Sequence, residues 1–117
     1  MQNYKDLKVW VKAHLFTLLM YQEKKSFPKE ELYCLTSQLR RSATSVPANI
    51  AEGCGKKTNP ELAHYLNIAL GSSNESEYYL LLSKDLKYLS DEKYIALNLL
   101  INEVKARLIA LINKVCS

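Results

Sequence analysis

Apolar residues recur at steps of three and four over four long stretches, and none alternates apolar with polar as a half-buried strand does. Punctuation is sparse: Pro28 after "KKSF", Pro60 after "KKTN", and "LSDEK" near residue 90. These breaks predict four helices at about 4–25, 29–54, 60–89 and 91–116. In the first, Leu7, Val11, His14, Leu18 and Tyr21 form one stripe, widened by Trp10 and Leu15. In the second, Leu32, Leu35, Leu39, Ala43, Val46 and Ile50 line up. Asn59 is the expected cap of the third, with Pro60 at its first position and an apolar series from Leu62, Leu66, Ala69 and Leu70 to Leu80, Leu81, Leu86 and Leu89. Ser90 caps the fourth, with Asp91 and Glu92 suited to the positive helix start.

The fourth helix changes the picture. Tyr94, Leu97, Ile101, Val104, Leu108, Leu111 and Val115 make an unbroken seam, yet Ile95, Leu99, Leu100, Ile109 and Ile112 lie off it. One buried stripe suffices inside a bundle, so the surplus predicts a neighbouring copy. Long helices joined by short loops pack as antiparallel neighbours. The expectation is therefore an all-α, antiparallel up-down-up-down four-helix bundle, a single domain over residues 1–117, assembling as a homo-oligomer.

Charge adds little by itself. Sixteen basic against twelve acidic side chains leave +4, which permits an anionic partner without requiring one. The three cysteines have no paired spacing and read as free thiols of a reducing compartment. No stretch approaches the roughly 18 unbroken apolar residues of a membrane span, and the charged opening "MQNYKDLKVWVKAH" does not read as a secretion signal. The expected location is cytoplasmic, without membrane contact.

The stretch "RRSATSVPANIAEGCGKKT" at 40–58 invites a phosphate-loop reading, but its glycines are wrongly spaced and no strand precedes them. A helix end fits better: Gly53 or Gly55 in the left-handed conformation, with Lys56 and Lys57 at the negative terminus. Pro47 then falls inside a helix and predicts a kink, with Ser45 and Asn49 placed to serve the freed carbonyl or to reach another helix. Gly71 and Ser72, in the middle of the third helix, predict close approach of a neighbour rather than a break.

On these residues the chain resembles a known family. "QLRRSATSVPANIAEG", with "DLKVW" at 6–10, "FPKEELYCLTSQLRRS" at 27–42 and "YLNIALGSSNESE" at 65–77, is similar to the four-helix bundle proteins encoded by intervening sequences in bacterial 23S rRNA genes. The matching positions are Arg40, Arg41, Pro47, Asn49, Glu52, Gly53, Gly71, Ser72, Glu75 and Glu77; Cys34 and "SSNES" depart from the family pattern. Relatives include the accessory variability protein of diversity-generating retroelements, a ring-like homopentamer that binds nucleic acid and reverse transcriptase. The resemblance thus implies a ring, a pentamer by that precedent, and RNA or a reverse-transcriptase-like nucleoprotein as partner.

Enzyme chemistry finds little support. A di-iron bundle needs two Glu-x-x-His pairs; Glu61 and His64 make one, and His14 has no glutamate three residues before it. No metal, cofactor or small-molecule substrate is indicated, and no Ser-His-Asp set is visible. Glu52, Glu75 and Glu77, if brought together with Arg40 and Arg41, read as structural ion pairs. The candidate nucleic-acid contacts are Lys5, Lys8 and Lys12 as one face, Lys56 and Lys57 as a corner, and Lys84 and Lys87 as a shorter face, acting on phosphate and shape rather than base sequence. The sequence reading is a non-catalytic RNA-binding oligomer; the alternative is a protein-binding scaffold whose lysines are solvated surface.

Overall fold

The structure, a computed structural model, describes residues 2–23 and 27–117. Four helices carry it: α1 (Lys8–Gln22), α2 (Leu35–Cys54), α3 (Asn59–Asp85) and α4 (Asp91–Cys116), with single 3₁₀ turns at Tyr4–Asp6 and Lys29–Glu31. No strand occurs among the described residues. The 43 Å long axis matches the length of α3, since 27 residues at a rise of about 1.5 Å span roughly 40 Å.

Side-chain pairs fix the direction of each helix against its neighbours. Thr17 meets Ala43 and Tyr21 meets Arg40 between α1 and α2. Ser45 meets Ser72 and Ser42 meets Ser76 between α2 and α3. Glu77 reaches Asn102 and Lys105 on α4, and Lys12 reaches Glu103 while Glu23 takes Lys93 across α1 and α4. Every pairing runs antiparallel, giving an up-down-up-down bundle in which α1 closes against α4 and the backbones of diagonal helices stay apart.

The first three helices are shorter than their apolar patterns predict, while α4 covers the expected 91–116. The chain before Lys8 forms a 3₁₀ turn and an extended residue at Leu7. Residues 24 and 25, in the predicted end of the first helix, lie outside the described residues. Residues 29–34 form the 3₁₀ turn and a bend instead of the first turns of α2. Thr58, not Asn59, caps α3: its hydroxyl accepts from the Glu61 amide at 3.3 Å and donates to the Glu61 carboxylate at 2.8 Å. The hydroxyl thus serves the Glu61 amide as a side-chain cap, and Pro60 falls at the second helical position. Ser90 caps α4 by accepting from the Lys93 amide at 3.2 Å.

α3 stops at Asp85 rather than 89, because Lys87 turns left-handed at φ 65°. The Lys87 amide then bonds the Lys84 carbonyl at 2.9 Å and the Tyr88 amide the Ser83 carbonyl at 2.8 Å, which satisfies two carbonyls of the last turn. Glycine is the residue this position favours. Lys87→Gly is therefore expected to raise unfolding stability by about 1 kcal/mol, measured as a higher urea midpoint at unchanged slope.

The α1 stripe is corrected in most of its members, with only Leu7 and Trp10 half-buried against the core. The face turned to the core is Val9, Ala13, Phe16 and Met20, whereas Val11, His14, Leu15, Leu18 and Tyr21 are exposed. Ala13 and Ala43 are both buried, and Thr17 reaches the Ala43 carbonyl of α2 at 3.0 Å, so this side of α1 is the one that meets its neighbour. His14 is no core residue; it stacks on Trp10 with ring centroids 4.8 Å apart. In α4 the central seam of Leu97, Ile101, Val104 and Leu108 is buried, while Ile95, Leu99 and Ile109 face outward.

Small residues line the α2–α3 seam. Ser76 donates to Ser42 and Ser72 to Ser45, each at 2.9 Å, and Ser42 passes its own proton to the Leu39 carbonyl at 3.1 Å. The glycine expectations reverse here. Gly53 lies inside α2 and no glycine has positive φ. A Cβ on Gly53 would come within 3.0 Å of Tyr65 Cβ, while one on Gly71 would meet nothing within 4 Å. The close approach is at Gly53, and Gly71 sits exposed on an unbroken α3.

α2 also runs unbroken through Pro47. The carbonyl one turn back, on Ala43, has no Pro47 N–H to accept. Thr17 Oγ1 of α1 lies 3.0 Å from that carbonyl and 3.0 Å from the Ala13 carbonyl of its own helix. Asn49 instead donates to the Ser45 carbonyl and hydroxyl at 2.8 and 2.9 Å.

Candidate nucleic-acid interface

Three chain segments meet at one end of the bundle: the entry to α1, the turn from α2 to α3, and the last turns of α4. A cleft of about 260 Å³ is lined by Leu7, Lys8, Val9, Arg107, Ala110, Leu111 and Lys114. Beside it, a narrower cleft of about 140 Å³ joins Gln2 to Gly53, Lys56, Lys57, Thr58 and Val115. This end gathers Lys5, Lys8, Lys12, Lys56, Lys57, Arg107 and Lys114 against Asp6, Glu52, Glu61 and Glu103, so most of the +4 excess is concentrated here.

The cations are not equivalent. Lys12 is held by Glu103 at 2.9 Å, and Arg107 Nε lies 3.5 Å from the same carboxylate, beyond good hydrogen-bond length. The hydrogen bond from Lys12 holds Glu103 below the usual carboxylate range, with Arg107 adding to it. Lys56 is held by Glu52 at 3.3 Å and sits 5.2 Å over the Tyr65 ring; the Glu52 hydrogen bond raises its pKa. Lys8, Lys57 and Lys114 have no ion pair among the described residues, and Lys5 has only the Tyr4 ring at 5.8 Å. Lys5, Lys8 and Lys12 do not share one helical face, because Lys5 belongs to the 3₁₀ turn before extended Leu7. Arg107 and Lys114, both absent from the sequence reading, join Lys8 only because α4 ends beside the entry to α1.

Lys84 and Lys87 sit at the opposite end. Lys84 is half-buried, its ammonium 4.9 Å over the Tyr94 ring, while Lys87 is exposed on its left-handed turn.

The acidic residues do not converge into a reactive group. Glu52 pairs with Lys56, Glu75 with Arg41 and the Tyr79 hydroxyl, and Glu77 with Lys105 at 2.7 Å and Asn102 at 2.8 Å. The Lys105 hydrogen bond is the main reason the Glu77 carboxyl is held low. Its folded value lies below its unfolded one, so the stabilisation is present above the ordinary carboxylate range and lost as pH falls through the lowered value. Arg40 differs from Arg41: its guanidinium lies over the Tyr21 ring at 4.9 Å, and its buried Nε has no acceptor.

Among the described residues no group of three or more His, Cys, Asp and Glu side chains is placed to hold a metal ion. His64 is exposed and packs edge-on against Tyr65. Cys34 and Cys116 are exposed thiols, and burial pushes the Cys54 thiol up, keeping it protonated. No described helix is long and apolar enough to cross a membrane.

A family model described as "23S rRNA-intervening sequence protein" matches residues 5–110. The chain belongs to that family. A solved structure agrees: a protein of unknown function from the S23 ribosomal protein family of Bacteroides thetaiotaomicron is 31% identical, with a TM-score of 0.83 over 90% of this chain and 95% of that one. No curated protein matches. In this chain Arg41, Gly53, Ser72 and Glu75 line the α2–α3 seam, and Glu77 ties α3 to α4. Those positions build the bundle, while the unpaired lysines lie elsewhere.

Proposed function

We propose that this protein is a non-catalytic, self-associating binding protein that holds structured RNA, alone or in a nucleoprotein complex, against the basic end of its bundle. The observation that carries the reading is the convergence of Lys8, Lys57 and Lys114, without carboxylate partners among the described residues, from three separate chain segments. Structural cations are normally paired, as Lys12, Lys56 and Lys105 are here. Unpaired ones clustered along clefts suit phosphate oxygens, whose binding releases counterions. A ring of copies would repeat this end around one axis and multiply the charge, as the family resemblance implies for a pentamer.

The test is binding of a labelled RNA hairpin across a salt series. Lys8→Glu combined with Lys57→Glu is expected to lower affinity about tenfold or more and to flatten the log–log salt slope by about 0.7–0.9 for each phosphate no longer neutralised. The melting temperature should stay put, since both side chains are exposed. Unchanged affinity would favour a protein-binding scaffold instead. That second reading draws on Val11, Leu15 and Leu18, an apolar stripe left outside on α1.

A further inference from the structure

The end of the bundle opposite the basic cluster carries two surfaces that match each other. The first is a groove at the entry to α2. Two adjoining clefts, each of about 420 Å³, share Leu32 and Arg40 as a common wall, with Phe27 and Lys29 flanking one and Tyr21 and Tyr33 the other. Tyr33 is 88% exposed and Leu32 is 44% exposed. Arg40 is the unusual member: unlike Arg41, which Glu75 and Gln38 satisfy, it has no carboxylate and its covered Nε no acceptor among the described residues. The groove is apolar, cationic and short of an acid.

The second surface is the outward stripe at the start of α4. Glu92, Ile95 and Leu99 recur at steps of three and four, with Ile95 64% and Leu99 73% exposed. Asp91 and Glu92 have no ion pair among the described residues, whereas Lys93 beside them is taken by Glu23. This stripe is apolar, anionic and short of a cation. α2 and α4 stand on opposite corners of the bundle with their outward faces turned apart, so one chain cannot bring its own two surfaces together.

We infer that the α4 stripe of one copy seats in the α2 groove of the next, Glu92 meeting Arg40 while Ile95 and Leu99 cover Leu32 and Tyr33. The contact joins unlike patches, so it is head-to-tail, and repetition closes a ring where the rotation allows. Pairing either patch with itself would leave its charges unmatched. The inference rests on the self-association in the proposed function and assigns the surfaces that make it.

Sedimentation over a concentration series separates the outcomes, run on wild type, Leu99→Ser, Tyr33→Ser, Glu92→Arg, Arg40→Glu and the exchanged double Arg40→Glu/Glu92→Arg. Wild type is expected to exceed the 13.4 kDa of one chain. Each single variant should raise the concentration for half-assembly about tenfold or more, and the exchanged double should recover much of the loss. Tyr33 and Glu92 are exposed, so their variants report on assembly even where Arg40→Glu disturbs folding. A wild type of one-chain mass overturns self-association and this inference together. An assembling wild type that Leu99→Ser breaks but Tyr33→Ser and Arg40→Glu do not, or whose exchanged double fails to recover although folded, overturns the inference alone. Assembly indifferent to every substitution does the same and leaves the groove to a foreign segment.

Discussion

Gly53→Ala is expected to lower unfolding stability by about 1–3 kcal/mol. The added methyl would stand 3.0 Å from Leu62 Cδ1, 3.0 Å from Tyr65 Cβ and 3.3 Å from the Leu62 carbonyl oxygen. The Leu62 methyl can swing away. Tyr65 Cβ and the carbonyl cannot move without the α3 backbone. Relief therefore means separating α2 from α3, which loosens the serine pairs Ser42–Ser76 and Ser45–Ser72 further along the same seam. Helix propensity works against this loss, since alanine improves on glycine by about 1 kcal/mol in a helix interior. Gly71→Ala isolates that term: with open space around it, the substitution should stabilise by up to about 1 kcal/mol. Urea unfolding of the two variants should thus move the midpoint in opposite directions. A stabilising Gly53→Ala would mean the α2–α3 spacing is looser than its contacts indicate.

Thr17→Val should destabilise by about 1–3 kcal/mol, although valine keeps the shape of threonine and this helix is apolar. The loss is the hydroxyl donor 3.0 Å from the Ala43 carbonyl, which Pro47 leaves without its regular helical partner. Ala43 is fully buried, so water cannot substitute. The same hydroxyl also lies against Ala13, but that carbonyl belongs to an unbroken helix and keeps its own amide partner. A double-mutant cycle isolates the cause. With Pro47→Ala the amide at position 47 returns, and Thr17→Val should then cost clearly less than in the Pro47 chain. Equal costs in both backgrounds would assign the effect to packing alone.

Both predictions sit where local pattern and tertiary contact meet, and that is also where the sequence was legible in part. The four helices were readable because periodicity, Ser90 as a cap, and Pro60 near a helix start are local signals. α4 was readable down to its buried residues, since Leu97, Ile101, Val104 and Leu108 hold one seam. α1 was not. It carries apolar residues on almost every face, and Val9, Ala13, Phe16 and Met20 satisfy helical spacing as well as Val11, Leu15 and Leu18 do. Contacts with the neighbouring helices, Thr17 to Ala43 on α2 and Lys12 to Glu103 on α4, go with the inward face, and no count within α1 contains them.

The candidate site divides the same way. Lys8 and Lys57 were visible as basic residues, but charge along a chain does not say which cations find carboxylates. Lys12 and Lys56 find them; Lys8 and Lys57 do not. Lys114 and Arg107 entered only when the end of α4 came to rest beside the start of α1.

Residue order alone was enough to set the four helices and the buried face of the last one. Those features depend on residues within a turn or two of one another, where spacing, caps and backbone chemistry act directly. The packing of helix on helix was needed to settle which face of α1 turns inward, which glycine permits close approach, what serves the carbonyl freed by Pro47, and which lysines remain unpaired. Each of those depends on a residue supplied by a different helix, and no local spacing records where that helix comes to lie.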